Sequence, residues 1–139
     1  TLAQTLYMGV DIKARDDKGT TREGLITYMR TDSVRIDPEA ITAVREMILA
    51  QYGKDYLPAQ PHIFKVGDAA QEAHEAIRPT DLTLPPSAVK EDLEPDLYRL
   101  YTLIWNRFVA SQMTEALFDT TVYEIAAGKS ERYRFRAPG

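Results

Sequence analysis

Apolar positions recur along the chain with two different periods. Between residues 2 and 10, Leu2, Ala3, Leu6, Tyr7 and Val10 fall close to one helical stripe, and Gly9 suits the end of that helix. Between Pro38 and Gly53, four apolar residues, Ile41, Val44, Met47 and Ile48, share one helical face. Asp37 is a good N-cap for this element, Pro38 fits its first turn, and Gly53 fits the position past its end. The widest apolar face lies between Pro95 and Gln112. There Leu97, Leu100, Tyr101, Ile104, Trp105, Phe108 and Val109 require burial, which makes Trp105 a core residue rather than a platform for stacking bases. A short helix is predicted over 69–77, limited by Pro79, and a single turn over 87–93 inside a proline-rich stretch. Extended segments are predicted over 24–31, 120–125 and 132–135, with a turn at 127–130 joining the last two. Residues 11–23, crowded with charge around Gly19, read as an exposed mobile loop, and 54–67 as a loop holding Pro58 and Pro61. No internal repeat or low-complexity tract is present.

The expected fold class is therefore mainly α with a small β part. Composition adds few constraints. A chain of 139 residues with 44% hydrophobic content supports one core. With no Cys there are no disulfides, thiolate metal sites or cysteine nucleophiles, which weakly fits a reducing compartment. No apolar run approaches the ~18–20 residues of a membrane span. The first six residues carry neither a start Met nor a basic segment, so they do not resemble a signal peptide. They read as a cut inside a helix, and residues 134–139 as a cut inside a strand, so a piece of a larger protein is expected. The net charge of −4 argues against strong nucleic-acid binding by this chain alone, because neutralising phosphates dominates such affinity.

Candidate chemistry concentrates in Tyr28-Met29-Arg30-Thr31-Asp32-Ser33. A tyrosine hydroxyl, with a reference pKa of about 10, attacks a phosphodiester only when cations stabilise the developing charge. Arg30 is suited to this, since its fork donates two hydrogen bonds to phosphate oxygens. In an extended segment Tyr28 and Arg30 would share a face. The plainer reading is a strand-edge tyrosine beside a solvated arginine. A second cluster is Glu72-Ala73-His74-Glu75-Ala76-Ile77-Arg78-Pro79. On a helix His74 and Arg78 would lie one turn apart and could contact a phosphate, with His74 able to move a proton. The alternative is a surface helix with solvated charges. Thr27, Thr31 and Ser33 could donate to phosphates, or Asp32 and Ser33 could simply turn the chain. Arg132, Arg134 and Arg136 alternate along the last strand; a solvated face is the plainer reading, a track for a DNA backbone the other. No three His or carboxylate residues have metal-ligand spacing, and His62 sits in a proline-bounded loop.

The two clusters, in this order and about forty residues apart, closely resemble the type IA DNA topoisomerases, with the bacterial topoisomerase I branch nearest and reverse gyrase sharing the module. The resemblance runs along the whole chain, weakest over 11–23. It implies that Tyr28 attacks a single DNA strand and becomes joined to a 5′-phosphate, that Arg30 positions tyrosine and phosphate, and that His74 contacts phosphate, with Arg78 a further candidate. It implies a winged-helix-like helical lobe over 1–116 carrying the tyrosine, and entry into a β-rich arch over 117–139. It also implies Mg2+ in the full-length enzyme with ligands outside this chain, and relaxation of negatively supercoiled DNA by a monomeric, cytoplasmic, nucleoid-associated enzyme. A chain lacking the metal-binding domain is then expected to be inactive in relaxation alone. Two competing expectations are a winged-helix-like DNA-binding module with a structural Tyr28, and a tyrosine recombinase. The order of residues disfavours the latter, because His74 follows the tyrosine.

Overall fold

The computed structural model describes residues 1–13, 19–64 and 74–138. These form four α-helices and two antiparallel two-stranded sheets, a mixed α/β arrangement. The helices are α1 (Leu2–Met8), α2 (Pro38–Tyr52), α3 (Pro86–Val89) and α4 (Pro95–Ser111). Strands β1 (Val10–Lys13) and β2 (Thr20–Glu23) pair in one sheet, β3 (Val122–Ala127) and β4 (Tyr133–Pro138) in the other.

The long helices form where local signals agree. In α2 the Asp37 carboxylate accepts from the Glu39 N–H at 2.8 Å, Pro38 opens the first turn, and the Gly53 N–H closes the last. Its buried residues are Ile41, Val44 and Ile48. α4 buries Tyr101, Trp105, Phe108 and Val109, and both α1 and α3 pack against it. These side chains join Leu6, Val10, Ile12, Leu25, Ile26, Leu84, Val89 and Leu93 in one core. Tyr101 is fully buried and donates to the Leu84 carbonyl at 2.7 Å. Burial, with Asp81 adding to it, pushes this hydroxyl well above the usual tyrosine range, so it serves the core as a neutral donor.

Polar side chains fix the exit from α4. Gln112, fully buried, accepts from the His62 N–H at 3.1 Å and donates to the His62 carbonyl at 2.8 Å. The Thr114 N–H donates to the Tyr56 carbonyl at 3.0 Å. The 54–64 segment is thereby stapled to the helix end rather than left as a free loop.

Three expectations are corrected. Residues 11–23 are not simply a loop: β1 and β2 form a hairpin with Val10 opposite Glu23, and Val10 and Ile12 turn into the core. Residues 24–31 are not a strand; among the described residues their ladder pairing is limited to an isolated bridge from Ile26 to Pro79. Residues 74–78 are not helical, while 69–73 lie outside the described residues. Arg78 precedes a proline, which disfavours helical geometry, and its backbone is engaged elsewhere. Among the described residues no helix is long and apolar enough to cross a membrane.

Candidate functional site

The two motif segments lie antiparallel, joined mainly by Thr27. Its N–H donates to the Arg78 carbonyl at 2.9 Å, its hydroxyl donates to the Ala76 carbonyl at 2.9 Å, and the same oxygen accepts from the Arg78 N–H at 3.0 Å. The Thr80 N–H donates to the Leu25 carbonyl, and the Ala76 N–H to the Arg35 carbonyl. Segments some fifty residues apart in the chain are thus set in register by backbone bonds, with Leu25 and Ile26 buried beneath them.

Thr27 therefore has a structural role that sequence reasoning missed. Thr27→Val keeps the shape but orphans a carbonyl and an N–H, so stability should fall by about 1–3 kcal/mol. Urea denaturation would measure this, and Thr27→Ser should recover most of it. A Thr27→Val protein as stable as the parent would show that the hydroxyl does not hold the register.

Beyond this seam the chain emerges to the surface. Tyr28 is 44% exposed and Arg30 is also exposed. Among the described residues no hydrogen bond or ring contact joins Tyr28 to Arg30 or His74. The Tyr28 ring instead meets Tyr7, with centroids 5.3 Å apart and planes at 70°. His74 is held by a residue assigned only to a turn: its Nδ1 lies 3.1 Å from the Asp32 carboxylate. An ionised carboxylate only accepts, so Nδ1 donates, and among the described residues Nε2 has no partner. No local signal could have found this pair, because its members are forty-two residues apart.

The remaining candidates shape the site. The Thr31 hydroxyl accepts from the Ser33 N–H at 3.0 Å, and the buried Ser33 hydroxyl accepts from the Arg35 N–H at 3.1 Å, so both turn the chain. Arg78 has its Nε and Nη2 in a two-point pair with Glu75 at 3.1 and 3.2 Å, and its Nη1 on the Pro79 carbonyl. A phosphate at Arg78 would compete with that pair. Among the described residues no three His, Asp or Glu side chains gather to hold a metal. The described side chains therefore do not fit Mg2+.

A family model described as DNA topoisomerase matches residues 1–139. The chain belongs to the type IA DNA topoisomerase family. It is similar to DNA topoisomerase 1 of Rickettsia felis, 48% identical over 139 residues that cover 99% of this chain and 17% of that protein. DNA topoisomerase 1 of Helicobacter pylori is 48% identical over 140 residues, covering 100% of this chain and 18% of that protein. Among solved structures, full-length topoisomerase I from Thermotoga maritima superposes with a TM-score of 0.67 at 34% identity, covering 99% of this chain and 20% of that one. The chain thus spans about a fifth or less of the length of these topoisomerases. Both motif clusters fall within the matched length.

Proposed function

We propose that this chain is the cleavage and religation part of a type IA DNA topoisomerase, with Tyr28 as the nucleophile. The observation that carries the reading is the seam between the two motifs. It presents Tyr28 at the surface one residue beyond Thr27, and His74 on the paired segment is gripped by Asp32. Tyr101, in the core, is buried and hydrogen-bonded; Tyr28 is exposed and its hydroxyl has no hydrogen-bond partner among the described residues.

In the proposed step the Tyr28 oxygen attacks a backbone phosphorus of a single DNA strand. A bond forms from this oxygen to phosphorus, the bond from phosphorus to the 3′ oxygen breaks, and the phenol proton ends on the leaving 3′ hydroxyl. The 5′-phosphate stays on Tyr28, so the reverse attack by that hydroxyl reseals the strand without an external energy source. Arg30 neutralises the non-bridging oxygens, where charge develops. His74, with Nδ1 committed to Asp32, offers Nε2 to a phosphate. Thr31 and Ser33 form the turn that carries Asp32 to His74, with Thr27 and Arg78 holding the two segments together; each remains a candidate phosphate neighbour. Residues 1–116 are assigned to a winged-helix-like lobe and 117–139 to the start of a β arch. In the full-length enzyme, a cytoplasmic, nucleoid-associated monomer, other domains would supply the ligands for Mg2+ and much of the DNA groove. Its substrates would be single-stranded and negatively supercoiled DNA.

The test is adduct mapping. Full-length protein mixed with a labelled single strand and Mg2+ is quenched with denaturant, digested and sequenced by mass spectrometry. The expected product is the Tyr28 peptide carrying a 5′-linked nucleotide. An adduct on another residue, or a 3′ linkage, would overturn the assignment.

A further inference from the structure

Tyr7 stands at the end of α1, and its ring meets the ring of Tyr28 edge to face, 5.3 Å between centroids. Backbone contacts bring the two segments together. The Leu25 N–H donates to the Leu6 carbonyl at 2.8 Å. A Cβ on Gly24 would stand 2.8 Å from the Tyr7 carbonyl oxygen, so only glycine lets the two segments come this close. Leu6 is fully buried, and α1 packs on α4. Tyr7 is 39% exposed, so its meeting with Tyr28 takes place at the surface and not in the core. Among the described residues Tyr28 has no other ring contact, and its hydroxyl has no hydrogen-bond partner.

We propose that Tyr7 is a positioning residue for Tyr28, its ring holding the phenol in the orientation from which it attacks phosphorus. This rests on Tyr28 being the nucleophile. An exposed tyrosine otherwise samples several staggered rotamers, and an edge-to-face neighbour favours one of them. In-line attack needs the reacting atoms aligned at about 3–3.5 Å, so a freely turning ring loses rate without losing DNA.

The test separates rate from binding in the full-length protein. Single-turnover cleavage of a labelled single strand at saturating concentration gives the rate constant, and fluorescence anisotropy gives Kd. Tyr7→Leu should cleave about tenfold more slowly at saturation. Its Kd should stay within about twofold of the parent, because the change affects alignment rather than phosphate contacts. Tyr7→Phe keeps the ring and should restore the rate to within about twofold. A parental rate in Tyr7→Leu, a loss that appears only in Kd, or a Tyr7→Phe protein as slow as Tyr7→Leu would each overturn the proposal. Should Tyr7→Leu fail to fold, Tyr7→Gln, which suits an exposed helix position, carries the same expectation and the same refutation. Tyr28→Phe run alongside distinguishes the two readings. An adduct surviving there removes the nucleophile and this role with it. An adduct lost there, with Tyr7→Leu at the parental rate, removes only the role of Tyr7.

Discussion

Tyr28→Phe in the full-length protein should lower covalent adduct formation on single-stranded DNA by on the order of a thousandfold or more, as loss of a nucleophile does. The substitution removes one oxygen and leaves the ring. The contact with Tyr7 therefore survives, and so do the bonds of Thr27 to the neighbouring segment. The lost hydroxyl has no hydrogen-bond partner among the described residues, so stability should change by no more than about 0.5 kcal/mol. DNA affinity should persist too, because the charge-bearing contacts proposed above are those of Arg30 and other groups. The variant would thus be folded, able to bind and unable to cleave. Gel analysis of the quenched adduct, thermal melting and anisotropy check the three parts. Adduct at the parental level would end the nucleophile assignment. A large drop in melting temperature would instead make Tyr28 a structural residue.

The largest expected loss of stability is at Trp105. This residue is 6% exposed, its ring lies 6.1 Å from the Tyr101 ring between centroids, and it belongs to the face of α4 that also buries Phe108 and Val109. Trp105→Ala removes that volume from a close-packed site and should cost about 3–5 kcal/mol. Domains of this kind have only about 5–15 kcal/mol in total, so the variant should unfold at a much lower urea concentration. The effect should reach the site indirectly. α1 rests on α4, and the Leu6 carbonyl at the end of α1 holds Leu25 beside Tyr28. A loss below about 1 kcal/mol would mean that the α4 face is not core.

The readable parts of this chain were those whose signals are local. In α2 and α4 the prolines at the start, the Asp37 cap, the Gly53 end and the apolar spacing all lie within the element they define. The hairpin was missed because only Val10 and Ile12 show the strand alternation, while β2 carries Thr20, Thr21, Arg22 and Glu23 on an exposed edge. Its partners were invisible until paired. The segment after residue 73 departs from the expected helix because, although Arg78 and His74 have helical spacing, Pro79 and the Thr27 seam hold the backbone extended.

The candidate site divides in the same way. The sequence by itself determined which side chains are candidates for the proposed chemistry, because a tyrosine near an arginine, and a histidine in a second cluster further on, are matters of residue type and order. Tertiary structure alone decided what each is able to do. Asp32 becomes the partner of His74, Arg78 is turned to Glu75 and Pro79, and Tyr7 comes to rest on Tyr28. The physical reason is range. Propensity, capping and periodicity act over a few residues, whereas these contacts are closed by burial of Leu6, Leu25 and Ile26 between segments far apart in the chain.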